Sequence, residues 1–212
     1  MKPVTTTALI TSLICLVPII FGLLYWDQLP EQLIIHWNSA GEPDGYVPKA
    51  LGVFGLPLLM CFLNLFLHFG LHNDPKIANA SKTLIFISRW LIPILTLILV
   101  PITLFTSMGV AIPVHLIVPI LVGVVLIVVG NYLPKSKQSY TVGIRYPWTL
   151  ESEENWNRTH RLSGYLWICA GFILILTTFL SPVLTIPILA AALILVVGIP
   201  FFYSYLLYKK GV

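Results

Sequence analysis

The chain has 212 residues, of which 58% are hydrophobic and 9% charged, with a formal net charge of +4. Soluble domains carry about 25% charged residues, so this composition cannot dress a water-facing surface and describes an integral membrane protein. It shows no basic patch interleaved with aromatics on a polar domain, so no direct contact with nucleic acid is expected.

The first apolar run, Thr7–Trp26, follows Lys2 and superficially resembles a secretory signal. At about twenty residues it exceeds a signal core of roughly 7–15, matches a bilayer core about 30 Å thick, and has no small-x-small cleavage site after it. It reads as a retained first span.

The next stretch, QLIIHWNSAGEPDGYVPK, gathers polar chemistry that the flanking runs lack. Alternation over Leu33–Asn38 suggests a short strand, and Glu42-Pro43-Asp44-Gly45 suits a type I turn. Tyr46 and Val47 then form a returning strand ended by Pro48, which gives a hairpin-like cap. Turn chemistry and an interfacial aromatic belt explain Gly41, Pro43, Gly45, Trp26 and Tyr46. They do not require His36, Trp37, Asn38 or Asp44. A metal reading would recruit His36, Glu42 and Asp44, but their spacing fits no recurrent zinc pattern. An acid–base pair of His36 and Asp44 has no nucleophile or oxyanion signature beside it. A preformed acidic and aromatic surface that recognises a cationic or amphipathic partner is the more economical reading, with Tyr46 at its edge.

Five more spans follow at approximately Leu51–His72, Thr83–Thr106, Ile112–Tyr132, Leu162–Leu180 and Val183–Tyr205. Very short connections at Ser107–Gly109 and Ser181-Pro182 imply two tight helical hairpins. Prolines 18, 57, 93, 101, 119, 187 and 200 fall inside spans, where lipid-embedded helices tolerate them as kinks. Cys15, Cys61 and Cys169 also lie inside apolar runs and read as buried hydrophobes rather than a disulfide frame. The spans hold few polar residues: Asn64, His68, Arg89, His115 and Asn131.

Between spans four and five, Asn131 and Pro134 end a helix, and Thr149 is a candidate cap for a second one lying on the membrane surface. Glu151, Glu153 and Glu154 suit the positive end of that helix, and Glu154 and Arg158 are spaced i,i+4. Leu150, Trp156 and His160 fall near one face. The basic residues here, Lys135, Lys137, Arg145, Arg158 and Arg161, are explained as membrane anchors. A sharper reading makes Asn131, Arg145, Trp148, Glu154, Trp156, His160 and Arg161 a platform for a cytoplasmic protein.

With six spans, every Lys and Arg except Lys49 falls on one side, which places both termini in the cytoplasm. The expected fold is therefore an all-α polytopic membrane protein of six transmembrane helices. A single membrane domain, residues 1–212, would carry an extracellular motif loop at 27–50 and a cytoplasmic one, with an interfacial helix, at 133–161. The two long loops recur at the same place in each three-span half. That is the layout of an inverted-repeat transporter, the competing reading alongside a membrane-embedded metalloprotein or enzyme. No HExxH, phosphate-binding glycine loop or row of intramembrane acids supports catalysis, so neither catalytic nor metal residues are assigned.

HWNSAGEPDGY, together with GNYLPK, GIRYPWTL and ENWNRTHRLSG, resembles the SdpI-type immunity protein family, including its YfhL-like members and their shared amino-terminal domain of unknown function. The matching positions are His36, Trp37, Asn38, Gly41, Pro43, Asp44, Gly45 and Tyr46 outside. Inside they are Asn131, Pro134, Gly143, Arg145, Pro147, Trp148, Thr149, Glu154, Trp156, Arg161 and Gly164. The resemblance implies a multi-pass protein of the bacterial plasma membrane that protects against a secreted, membrane-active toxic peptide. It also implies an interaction with a cytoplasmic transcriptional repressor, and it brings no cofactor and no catalytic residue.

Overall fold

The computed structural model describes residues 5–38, 41–180 and 182–212. In chain order it contains α1 (Thr6–Leu24), the strands β1 (Gln32–Trp37) and β2 (Pro43–Pro48), a π-helical turn at Leu51–Gly55, α2 (Leu56–Asn73), α3 (Lys82–Ser107), α4 (Val114–Tyr132), α5 (Pro147–Glu151), α6 (Glu153–Thr178) and α7 (Pro182–Lys209). Among the described residues, six helices are long and apolar enough to cross a membrane, as the hydropathy pattern requires. Leu9, Leu13, Phe62, Phe66, Phe69, Leu176 and Ile194 stand exposed on them, which suits a lipid-facing surface. The chain groups into two compact units, one made of Met1–Gly70 and Ser88–Val114 and the other of Leu71–Ile87 and His115–Val212.

In the first unit the expected hairpin is present, but its turn lies earlier than the sequence suggests. β2 already begins at Pro43, and the chain reverses between Asn38 and Glu42. Asn38 N–H donates to the Glu42 carbonyl at 2.8 Å, and Gly41 N–H donates to the Asn38 carbonyl at 3.0 Å. Two local causes outweigh the Pro-Asp-Gly signal. The Asn38 amide closes the turn on itself, its Oδ1 accepting from Glu42 N–H at 3.0 Å and its Nδ2 donating to Glu42 Oε2 at 3.2 Å. Gly41 supplies the left-handed residue, with φ +81°. Pro43, lacking an N–H, is tolerated at the first position of a strand.

The strands pair antiparallel, Leu33 with Val47, Ile34 with Tyr46, His36 with Gly45 and Trp37 with Pro43. Ile35 is therefore an extra residue on one strand and Asp44 an extra residue on the other, two successive bulges that restore register. The inward face carries Leu33, which joins Leu29, Val53, Val100 and Leu104 in a core covered by Trp26, Val47, Phe54, Leu56 and Met108. Ser107 Oγ accepts from Ile34 N–H at 2.8 Å, which ties β1 to the last residue of α3.

The second unit is organised by close helix approach. A methyl group on Gly171 of α6 would meet the Gly123 carbonyl of α4 at 2.5 Å, and one on Gly164 would meet the Gly130 carbonyl at 2.8 Å. Both helices thus place glycines seven residues apart, and the antiparallel pairs 123/171 and 130/164 face each other. Small residues let backbones approach this way where lipid gives no hydrophobic drive to pair helices. Leu126, Ala170, Ala192 and Val196 form the core, and Trp167 Nε1 donates to the Val196 carbonyl at 3.0 Å.

The helix read from Thr149 onward is interrupted at Ser152, and its second part continues directly into the long helix of span five. α5 ends at Glu151, Ser152 is extended with φ −119° and ψ 120°, and its Oγ accepts from Asn155 N–H at 3.1 Å. Ser152, not Thr149, is the cap, and Glu153 and Glu154 occupy the first turn of the spanning helix itself. The helix that carries span five therefore begins at Glu153, nine residues before the apolar run that starts at Leu162. Thr149 instead lies fully buried, its hydroxyl accepting from Tyr146 N–H at 2.9 Å.

Candidate functional site

Four of the six outer candidates lie on the two strands, and Asn38 and Glu42 bond to each other across the turn between them. The offset bulges bring His36 and Asp44 together, with Nδ1 2.5 Å from Oδ1, while their side chains remain 69% and 43% exposed. Gly45 is opposite, and a methyl group there would meet His36 Cβ at 2.7 Å, so the glycine makes room for the imidazole. Tyr46 is exposed and its hydroxyl donates to the Pro43 carbonyl at 3.3 Å; Trp37 is half-buried. The loop's single lysine, Lys49, is occupied: it pairs with Glu31 at 3.2 Å and lies 5.1 Å from the centre of the Trp26 ring. Asp27, Glu42 and Asp44 are therefore exposed without a lysine in their own loop to offset them. Among the described residues, no three His, Cys, Asp or Glu side chains gather as a metal site.

The inner candidates divide into buried and exposed sets. Trp156 and His160 are completely buried and stacked, with ring centroids 3.9 Å apart. Trp156 Nε1 donates to the Ser136 carbonyl at 2.7 Å. His160 Nε2 accepts from Ile144 N–H at 2.9 Å, so its proton sits on Nδ1, which lies 2.8 Å from the Trp156 carbonyl. Gly143, with φ +115°, passes over this stack, and a methyl group there would meet His160 Nε2 at 2.6 Å. These two side chains hold the shape of the inner segment rather than its surface.

Trp148 is half-buried among Tyr146, Phe201, Tyr205 and Tyr208, and its Nε1 donates to Ser204 Oγ at 2.9 Å. Arg145, Glu154, Arg161 and Asn131 are exposed. Arg145 donates to the Tyr140 carbonyl at 2.6 Å, and the expected Glu154–Arg158 pair forms at 2.5 Å.

A buried polar hub escaped sequence reasoning. Asp74 is only 5% exposed; its Oδ1 accepts from Lys76 N–H at 2.8 Å, and its Oδ2 from Ser139 Oγ at 2.6 Å and Thr141 N–H at 2.9 Å. Burial alone would raise this carboxyl, but the hydrogen bonds from Ser139, Lys76 and Thr141 together outweigh it and hold the group below its ordinary value. Beside it, buried Gln138 donates to the carbonyls of Thr149 and Leu150 at 2.9 and 3.2 Å and accepts from Lys76 Nζ at 3.3 Å. The available signal was Asp74 itself, an isolated acid after span two on a side otherwise rich in lysine and arginine.

These features define a six-span membrane protein with an exposed acidic hairpin and an inner segment folded on buried hydrogen bonds. Residues 135–204 match the SdpI/YfhL protein family, and residues 13–61 match a domain of unknown function, DUF1648. The chain is 30% identical over 202 residues to Immunity protein SdpI of Bacillus subtilis (strain 168), covering 95% of this chain and 96% of that protein. It belongs to the SdpI/YfhL family and is a multi-pass bacterial membrane protein. No solved structure matches it.

Proposed function

We propose that this chain is a membrane immunity protein that protects a bacterial cell from a secreted membrane-active peptide, with the β1–β2 hairpin as its recognition surface. The observation that carries the proposal is the 30% identity to Immunity protein SdpI over 95% of the chain. The hairpin suits the role chemically. His36, Glu42 and Asp44 offer acceptors to a cationic peptide, and Trp37 and Tyr46 offer amphipathic rings at low entropic cost. Neither function nor family calls for a reaction, and the role is non-enzymatic. The same reading places the hairpin outside the cell, following the distribution of lysine and arginine, and gives the exposed inner residues Arg145 and Glu154, with half-buried Trp148, to a cytoplasmic partner, a transcriptional repressor.

The test is expression in a peptide-sensitive bacterium that is then challenged with candidate secreted peptides. The parent chain should raise survival, whereas Asp44→Ala and Trp37→Ala should lose protection while reaching the membrane in equal amount. If both variants protect as well as the parent, the hairpin is not the recognition surface, although the immunity reading stands. If the parent protects against none of a broad panel of membrane-active peptides, the immunity reading itself fails.

A further inference from the structure

α6 and α7 enclose a groove of about 580 Å³ lined by Asn157, Arg158, Arg161, Leu162, Tyr165 and Tyr203. We propose that this groove binds the phosphate headgroup of an anionic phospholipid.

Three observations converge on that ligand. The first is depth. With 26 residues, α6 is about 39 Å long at 1.5 Å per residue, some 9 Å more than a hydrocarbon core about 30 Å thick. The polar residues fall at its amino-terminal end, from Glu153 to Arg161. The groove, at 157–165, therefore straddles the boundary where lipid phosphates lie.

The second is charge. Arg158 is engaged by Glu154 at 2.5 Å, whereas Arg161 is exposed and has no ionic partner among the described residues. A planar guanidinium with parallel donors fits phosphate oxygens two at a time, and Asn157 and the two tyrosines add neutral donors beside it. The third is the rest of the lining. Leu162 and the rings of Tyr165, itself 66% exposed, and Tyr203 provide amphipathic and apolar surface where glycerol and acyl chains would run. An acidic protein segment would match the arginines but not this position at the lipid boundary.

The experiment uses the full chain in a mild detergent, titrated with phosphatidylglycerol or phosphatidylcholine and read by native mass spectrometry. The parent should retain phosphatidylglycerol about tenfold more strongly than phosphatidylcholine, whose phosphodiester offers Arg161 the same oxygens but whose trimethylammonium repels the guanidinium. Arg161→Gln should remove that preference, and Lys209→Gln, a basic residue outside the groove, should keep it. Equal retention of the two lipids by the parent overturns the proposal whatever the variants do, as does a preference that survives in Arg161→Gln. Inorganic phosphate in excess separates the two sources of the anion: persistence of bound phosphatidylglycerol supports a lipid site, and complete displacement overturns it in favour of a free-phosphate site.

Discussion

Asp74→Asn should loosen the inner segment locally, and the size of the effect follows from its three hydrogen bonds. All three donors, Lys76 N–H, Ser139 Oγ–H and Thr141 N–H, point at carboxylate oxygens. An asparagine keeps one oxygen. Turned toward Ser139 and Thr141, it presents its own NH2 to Lys76 N–H, leaving a partly buried donor unmet at about 1–3 kcal/mol. The two surviving bonds lose their charge assistance and weaken by roughly 1 kcal/mol together. The expected cost is about 2–4 kcal/mol, or roughly 30- to 1,000-fold in local opening.

Hydrogen exchange reads this directly, because Thr141 and Val142 N–H also donate to Ser139 Oγ, at 3.2 and 3.1 Å. A peptide covering residues 139–144 should lose protection in the variant, while peptides from α1 keep theirs. The pH dependence has a definite sign. The folded carboxyl is depressed, so its contribution is present above the ordinary carboxylate pKa of about 4 and is lost as pH falls through the lower folded value. After correction for intrinsic exchange, the parent should behave alike at pH 7 and pH 5 and converge on the variant only in stronger acid. Unchanged protection at residues 139–144 in Asp74→Asn would refute the hub.

Gly171→Ala should destabilise by about 1–3 kcal/mol through overpacking, because the new methyl meets a carbonyl oxygen. Gly198→Ala, whose methyl finds only Ile194 Cγ2 at 3.8 Å, should be neutral or slightly stabilising; equal shifts in thermal unfolding would contradict the close α4–α6 approach. Arg145→Ala should reduce capture of a cytoplasmic partner at least several-fold in a membrane pull-down, and undiminished recovery would remove Arg145 from the proposed platform.

What was legible in the sequence followed from uniform physics. Twenty apolar residues are a span whatever their order, so six helices emerge from hydropathy alone. The strand at Leu33–Trp37 was also readable from its alternation, although the bulge at Ile35 breaks that pattern and leaves Ile35 exposed. The turn was misplaced because two adequate reversal signals compete within eight residues. Pro-Asp-Gly is the stronger on propensity, but Asn38 and Gly41 close a hydrogen-bonded loop that also permits the His36–Asp44 approach. The inner segment was least legible. Its order comes from contacts between Asp74 and Ser139, or Trp156 and Ser136, and no local pattern announces a partner tens of residues away.

The two surfaces also differ in what mutation can reveal. The His36–Asp44 pair is largely exposed, and such pairs contribute at most about 1 kcal/mol to stability. A loss of protection after changing Asp44 would therefore report on recognition rather than on folding. Inside, Trp156, His160, Thr149 and Asp74 are enclosed and bonded to backbone, so their substitution disturbs the segment's shape first and any partner second. An alanine scan of the inner motif would rank these four highest, and that ranking would say little about binding. Only the exposed side chains, Arg145 and Glu154 above all, separate the two effects, because each can be removed while the buried bonds beneath it remain intact.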